Sequence, residues 1–452
     1  MEREANALAK RNIQLSDHFT YGRLLRFVLP SVVMMVFTSI YGVVDGFFVS
    51  NFAGKTAFAS INLVMPFIMV LGGMAFMIGT GGTALVSKVL GEGDPERANR
   101  YFSMMVYVTL GLGAVLSVLG VLFMPQVARL LGATQEMLTD CVLYGRIVTA
   151  FTLAFMLQSL FQSFFIAAEK PRLGLIVTVA AGVTNMVLDA VFVGVLGWGI
   201  AGAAAATGLS QCVGGVLPLA YFFRPNSSRL RMVPTRLEWP AVLQACGNGA
   251  SELMSNISSS LVSILYNFQL LRYLGEDGVS AYGVLMYVQF VFVAIDIGYA
   301  IGSAPIVSFH YGAENHAELQ NMRRKSDVLM ALSGVALTAL AFFSAAPLAR
   351  MFVGYDAGLT ALTVRAFYLT APSFLLAGFN IFVSSFFTAL NNGLISAIVS
   401  FLRTLVFKTS CVIVLPQVLD VDGIWWSMTA AEVLAFAVSL AFLLAKRKKY
   451  RY

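Results

Sequence analysis

The chain repeats itself at a spacing of 221 residues. When the sequence is aligned with itself at this offset, identical residues match without a gap over much of its length. In a chain this apolar, two copies of about 220 residues predict two helical bundles that face each other across a membrane, an arrangement that places a site near the bilayer midplane. The matching positions include Gly54, Gly81, Val86, Ser87 and Gly91 in the first copy and Gly275, Gly302, Val307, Ser308 and Gly312 in the second.

Composition places the chain in the membrane. Hydrophobic residues make up 58% of the sequence, charged residues 12%, and the mean hydropathy is +0.79, more than a soluble core needs. We predict an all-α integral membrane protein with twelve transmembrane helices in two pseudo-symmetric six-helix lobes, since each apolar stretch can cross a core of about 30 Å. The alternating segments of a β-barrel are not found in the sequence. The predicted spans are 25–50, 57–88, 101–124, 140–168, 172–196, 199–223, 240–271, 280–309, 327–348, 360–388, 393–416 and 422–445.

The two copies define the expected domains. A first lobe covers residues 1–223 and a second lobe covers residues 239–445. Between them, residues 224–238 are rich in Arg and Pro and form the predicted cytoplasmic linker. Residues 446–452 form a basic cytoplasmic tail.

The positions of Lys and Arg predict the orientation. An even number of spans puts both termini on one side, and 22 of the 30 basic residues fall in the segments of that side. Short cytoplasmic loops retain basic residues, so both termini are expected in the cytoplasm. The net charge of +7 then reflects topology and contact with anionic lipid headgroups, and no nucleic-acid partner is expected. The chain is polar up to about Arg23, so we expect no cleavable signal peptide before the first span.

Two carboxylates of the first half are the strongest candidates for chemistry. A carboxylate within a span costs about 2.5 to 3.5 kcal/mol on insertion scales, so its presence calls for a compensating group or a use. Asp45 and Asp189 lie at matched depth, and Asn185 is one turn before Asp189 on the same face. Two such groups in one pocket can bind and release a proton or hold a small cation. The alternative is that Asp45 caps its helix and Asp189 is hydrated near the surface.

The second half carries a different set of charges. The 221-residue shift takes Asp45 to Tyr266 and Asp189 to Ser410, so ion chemistry is expected in the first half alone. One interpretation of the second-half charges is an acidic site for cationic substrates. The other is a neutralised network that pairs Glu252 or Asp296 with Arg403 or Lys408. The embedded charged residues are Glu252, Asp296, Arg403, Lys408 and Glu432.

Several motifs carry a family resemblance over residues 20 to 445. Their order and spacing across both halves resemble the multidrug and toxic compound extrusion (MATE) family, and within it the MepA-like bacterial branch. The motifs are Pro30 followed by Val43-Val44-Asp45-Gly46-Phe47-Phe48-Val49, then Gly91-Glu92-Gly93-Asp94, Asn185-Met186-Val187-Leu188-Asp189 and Gly199-Ile200-Ala201-Gly202-Ala203 through Thr207, and in the second half Gly249-Ala250-Ser251-Glu252 and Ala304-Pro305-Ile306-Val307, leading to Tyr311-Gly312-Ala313.

The resemblance implies a monomeric antiporter in the bacterial inner membrane. It implies export of small cationic amphipathic drugs or dyes by alternating access, in exchange for H+ or Na+ and without an organic cofactor. In similar transporters the positions that match Asp45, Asn185, Asp189 and Thr207 form the coupling site, which would hold any Na+. Glu252 resembles the acid of the seventh helix in other branches, whereas their second-lobe Na+ site is only partly matched.

Three other functions are weighed against this reading. A lipid or lipid-linked saccharide flippase needs a strongly cationic cavity for phosphates, and the embedded first-lobe charges are mainly acidic. A hydrolase or metalloenzyme needs clustered groups within the membrane, but His18, His310 and His316 lie at or near the cytoplasmic ends of the spans. We therefore expect no enzyme. A passive channel stays open as an alternative, as do the natural substrate and the choice between H+ and Na+.

Overall fold

The protein is described by a computed structural model that covers residues 13–48 and 55–452. The predictions that involve residues 1–12 and 49–54, among them Val49 of the first motif and Gly54 of the repeat, lie outside the described residues. Seven α-helices of the first half lie within these described residues. They are α1 (Tyr21–Phe48), α2 (Lys55–Gly91), α3 (Pro95–Leu130), α4 (Gln135–Ala150), α5 (Thr152–Ala167), α6 (Pro171–Asp189) and α7 (Gly199–Phe223).

Local sequence explains where several of these helices begin and bend. Asp94 caps α3 by accepting a hydrogen bond from the amide of Arg97 at 2.9 Å, and Pro95 takes the first helical position, where no N–H is needed. The helices α4 and α5 meet at Phe151 with a bend of 52°. We therefore count them as one broken span, which gives the first half six crossings.

The second half begins with one long helical element that folds back on itself. This element, α8 (Trp239–Gly312), is broken at Gly275, whose φ of +65° favours glycine. The rings of Tyr266 and Tyr282 stack with centroids 5.4 Å apart across the break, so the two arms run antiparallel. The later helices are α9 (His316–Val353), α10 (Ala357–Thr370), α11 (Phe374–Ala389), α12 (Gly393–Phe401), α13 (Lys408–Val414) and α14 (Pro416–Tyr450).

The predicted fold class is confirmed. In the described residues, ten helices are long and apolar enough to cross a membrane, and the bent α4–α5 pair makes eleven. The break at Gly275 divides α8 into two crossings, which gives the predicted twelve. This all-α, two-lobed arrangement is the expected one.

The described chain begins and ends on one side of the molecule, which we call the terminal face. The amide of Leu15 donates to Glu169 Oε1 of the first half at 2.9 Å, and the amide of Phe19 donates to Glu318 Oε1 of the second half, also at 2.9 Å. Arg451, next to the C-terminus, accepts a hydrogen bond from the Gln320 side chain at 3.1 Å. The N-terminal segment thus joins both halves at this face.

Candidate functional site

The first-lobe site forms where α1 lies against α6. Asp45 is in the last turn of α1, and Asp189 is the last residue of α6. Gly182 lets the two helices approach, because a Cβ there would overlap the ring of Phe37 and lie 2.9 Å from the ring of Tyr41. As a result the two carboxyl groups are close enough to interact directly, and Asp189 is completely buried.

Four buried oxygens of this site have no hydrogen-bond donor in the described part of the chain. Asp45 Oδ1, both carboxyl oxygens of Asp189 and Asn185 Oδ1 are buried, and none receives a hydrogen bond from the described part of the chain. Buried acceptors without a donor are costly, and two ionised carboxylates repel each other as well. One proton would turn the contact between the carboxyls into a hydrogen bond, and a small cation would satisfy the oxygens as ligands. The arrangement can therefore bind a proton or a small cation.

Three further polar residues surround the pair and were not identified from the sequence. Tyr41 lies one turn before Asp45 and its hydroxyl interacts with Gln158 of α5. Tyr144 of α4 is buried and interacts with both Asp45 and Asp189. The spacing of four residues from Tyr41 to Asp45 could have indicated a shared face. No spacing connects Tyr144 or Gln158 to the pair, because they lie on the two sides of the bent fourth span.

Thr207 is the fourth predicted member of the coupling site. It lies in α7 and is partly exposed, and its carbonyl accepts a hydrogen bond from the Ser210 hydroxyl at 2.7 Å. Within residues 13–48 and 55–452, its side chain makes no hydrogen bond to Asp45 or Asp189. The structure thus brings Asp45 and Asp189 together, with Asn185 one turn away, and leaves Thr207 outside their direct contacts.

A π turn follows the site directly. Residues Ala190–Val195 are wound as a π-helix immediately after Asp189. The fifth span of the second half has one too, over Leu402–Phe407, and it contains Arg403 and ends next to Lys408. Single π turns within helices occur frequently at functional positions, because they shift the register of the side chains that follow. Asp189 in the first lobe and Arg403 and Lys408 in the second therefore lie in or beside such a turn.

Glu432 is the centre of the second-lobe charges. Arg403 Nε donates to both carboxyl oxygens of Glu432, at 3.1 and 2.9 Å. Asn380 Nδ2 donates to Glu432 Oε2 at 2.8 Å, and Lys408 interacts electrostatically with the same carboxylate. This buried carboxylate is thus matched by two cations and an amide.

Asp296 and Glu252 stand in different relations to this network. Asp296 is 1% exposed, accepts a hydrogen bond from the Ser333 hydroxyl at 3.0 Å and interacts electrostatically with Arg403. Glu252 is partly exposed on the first arm of α8 and, among the described residues, pairs with neither Arg403 nor Lys408. Asp296 therefore lies at the edge of the network, and Glu252 lies apart from it.

Twelve crossings of the described chain in two repeated halves, with carboxylates buried between helices of the first, are typical of membrane transporters. The chain belongs to the MatE family, and it is therefore a transporter and not an enzyme. The family model matches twice, over residues 30–191 and 252–412, and the two matches are offset by about the 221 residues of the repeat.

Known proteins of this fold cover nearly the whole chain. A crystal structure of MATE in complex with MaL6 superposes with a TM-score of 0.92 at 19% identity, covering 98% of this chain and 99% of that one. An outward-facing multidrug resistance MATE family transporter of the MOP superfamily gives a TM-score of 0.92 at 20% identity, with coverage of 98% and 99%. The multidrug export protein MepA of Staphylococcus haemolyticus (strain JCSC1435) is 22% identical over 428 residues, 94% of each chain.

Proposed function

We propose that the protein exports small cationic amphipathic drugs or dyes by antiport against H+ or Na+. It works as a monomer in a bacterial inner membrane with its terminal face in the cytoplasm. Membership of the MatE family and the relatives named multidrug export proteins support export of drugs. The lobes are taken as residues 1–223 and 239–445, joined by the linker 224–238 and followed by the basic tail 446–452.

The observation that carries the proposal is the contact between Asp45 and Asp189. A cationic substrate and a coupling ion both seek the negative charge of these carboxylates, so binding of H+ or Na+ there disfavours the substrate. Asn185 adds a buried side-chain oxygen that accepts no hydrogen bond from the described residues. Thr207 remains a predicted member of the site. Competition between two cations for one charge is sufficient to couple their opposite movements when the lobes open alternately to the two sides.

The second lobe contributes unequally in this proposal. Glu252 is assigned to substrate binding, since its carboxylate stands apart from the Arg403 pair and can face a cation. Asp296, Arg403 and Lys408 are assigned, with Glu432, to a neutral network that holds the helices in register. Such a network costs less in a membrane than isolated charges.

A flippase for lipids or lipid-linked saccharides is the alternative. It would require free embedded cations to bind phosphate. Arg403 Nε makes a bifurcated hydrogen bond to Glu432, which Lys408 also faces. Asp296 interacts with Arg403 as well, so two carboxylates compensate these two cations. The arrangement of charges therefore favours a cationic substrate over a phosphorylated one.

Uptake of a fluorescent cation into inside-out proteoliposomes tests the proposal. A pH gradient and a Na+ gradient are imposed separately on the wild type, Asp45→Asn and Asp189→Asn. Asp277→Asn is the matched control, because Asp277 is an exposed carboxylate near the α8 turn. We expect uptake driven by one of the gradients in the wild type and in the control, and its loss in both site variants. Gradient-driven uptake at wild-type rates in Asp45→Asn and Asp189→Asn would contradict the coupling role, and no uptake by the wild type would favour the flippase.

A further inference from the structure

Arg146 is a cation within the fourth span whose charge has no carboxylate partner among the described residues. It is exposed on α4, and its Nε donates a hydrogen bond to the main-chain carbonyl of Val121 in α3 at 3.1 Å. Glu136 and Asp140, the acidic residues of the same helix, form no ion pair with it in the described chain. An unpaired guanidinium in a span is costly unless something outside the protein meets it.

The hydrogen bond to Val121 has a local cause. In a regular helix this carbonyl would accept from the amide four residues later, but that residue is Pro125, which has no N–H. Arg146 Nε supplies the missing donor. Because this uses one of the five N–H groups of the guanidinium, the two terminal nitrogens remain available for an anion.

Arg146 lines an apolar groove of about 450 Å³ between the C-terminal part of α3 and the length of α4. Apart from Arg146, its lining has one side-chain donor, the exposed hydroxyl of Thr139, and is otherwise made of carbon. A groove that is apolar along its length and cationic at one point matches the chemistry of a lipid. The acyl chain would lie on the carbon surface, and the phosphate would bind the cation. The apolar lining residues are Pro125, Leu138, Val142, Leu143 and Ile147.

The depth of Arg146 agrees with this match. The helix α3 has 36 residues and is roughly 54 Å long, about 24 Å more than a hydrocarbon core needs, or about 12 Å at each end if it is centred. Val121 lies nine residues before the end of α3 at Leu130, roughly 14 Å along the axis. The guanidinium that binds its carbonyl is thus at the boundary between acyl chains and headgroups, in the leaflet away from the terminal face.

We propose that this groove is a binding site for an anionic glycerophospholipid of that leaflet, with the lipid phosphate on the Arg146 guanidinium and Thr139 hydroxyl and one acyl chain along Leu138, Val142 and Ile147. The site is separate from the Asp45–Asp189 pair. It holds a lipid at the bent fourth span and does not require that the lipid be transported.

Native mass spectrometry of the full chain in detergent, titrated with phosphatidylglycerol, tests this assignment. We expect Arg146→Gln to weaken the tightest lipid adduct on the order of fivefold, since one cation near a membrane surface is worth about 1 kcal/mol. Arg365→Gln is the matched control, because Arg365 is another cation at the same end of the spans and its charge is already paired with Asp422 at 2.6 Å. We expect this control to bind the lipid as the wild type does.

A double variant separates lipid binding from the repair of the helix. Pro125→Ala restores the N–H that Val121 needs, so Pro125→Ala/Arg146→Gln should fold well and still bind phosphatidylglycerol about fivefold more weakly. Glycerol 3-phosphate, which has the phosphate without acyl chains, should not displace the lipid. Wild-type lipid affinity in Arg146→Gln or in the double variant, or an equal loss in Arg365→Gln, would overturn the proposal.

Discussion

Gly91 and Gly312 make the same contact from opposite lobes. A Cβ on Gly91 would overlap the carbonyl oxygen of Phe309, and a Cβ on Gly312 would overlap the carbonyl oxygen of Lys88. The two partner residues, Lys88 and Phe309, are separated by 221 residues, as the two glycines are. The interface at the terminal face is therefore isologous, as expected when two copies of one half pack about a pseudo-two-fold axis.

From this contact we predict that each of the two glycines is needed to keep the lobes packed together at the terminal face. In Gly91→Ala or Gly312→Ala the new methyl group meets main chain, which cannot rotate away, so we expect a loss of about 1 to 3 kcal/mol for the closed arrangement. Spin labels at residues 96 and 324, one exposed on each lobe, should report longer distances in both variants.

Gly111→Ala is the control for this experiment. Gly111 lies in α3 with open space where its Cβ would be, so alanine there should leave the label distances unchanged. Unchanged distances in Gly91→Ala and Gly312→Ala would mean that the lobes do not depend on these close approaches.

The loss of either partner of the Arg403–Glu432 ion pair should destabilise the protein more than the loss of both. Removing one partner leaves the other charge buried, so Arg403→Gln or Glu432→Gln is expected to cost about 3 to 5 kcal/mol. Replacing both, as Arg403→Met/Glu432→Leu, removes the two charges together and should recover much of that loss. Thermal unfolding in detergent measures the stability of all three variants.

The exposed pair of Arg365 and Asp422 is the comparison. Its nitrogen and oxygen are 2.6 Å apart, but the Arg365 side chain is 66% exposed, so Arg365→Gln should cost about 0 to 1 kcal/mol. Equal destabilisation by Arg365→Gln and Arg403→Gln would show that burial is not what makes the second-lobe pair important.

Glu318 should fasten the N-terminal segment to the second lobe. Its carboxylate accepts hydrogen bonds from the Phe19 amide at 2.9 Å and from Asn321 at 2.7 Å, and it lies 2.6 Å from His18 Nδ1. Glu318→Ala leaves the buried Phe19 amide without an acceptor, at a cost of about 1 to 3 kcal/mol. Hydrogen exchange should then speed up in residues 13–20. Glu96→Ala, at an exposed acidic position, should leave it unchanged, and slow exchange in Glu318→Ala would refute the role of this carboxylate.

Hydropathy and the repeat were sufficient to predict the fold. Apolar stretches fix how many times the chain crosses, and the match of Gly91 with Gly312 fixes the pairing of the halves. The bend at Phe151 and the π turn after Asp189 were not predicted. No Gly or Pro stands at the bend, Gly194 alone does not distinguish a π turn from a regular helix, and both features depend on how neighbouring helices pack.

The candidate site was harder to predict from the sequence than the fold. Embedded charges such as Asp189 and Arg403 are visible in the sequence because lipid excludes them. Their partners are not, since several faces of each helix are apolar and any of them could meet a neighbour. One of the two interpretations of the second-half charges paired Arg403 or Lys408 with Glu252 or Asp296, whereas the hydrogen bonds of Arg403 go to Glu432. For the same reason Tyr144 gave no signal before the structure placed it beside the two carboxyls.

Tyr144 provides the sharpest test of the first-lobe site. Its buried side chain lies within electrostatic range of both Asp45 and Asp189, although it gives neither carboxyl a hydrogen bond in the described structure. Once the coupling ion has left, the hydroxyl is the nearby group that can turn to a bare carboxylate. Tyr144→Phe removes this group, and we expect the apparent affinity for the coupling ion to rise about twofold to tenfold, the worth of one hydrogen bond formed in the ion-free state. The maximal rate of uptake should change little, and Tyr107→Phe, at an exposed tyrosine of α3, should have no effect. An unchanged ion affinity in Tyr144→Phe would place the coupling ion away from these carboxyls.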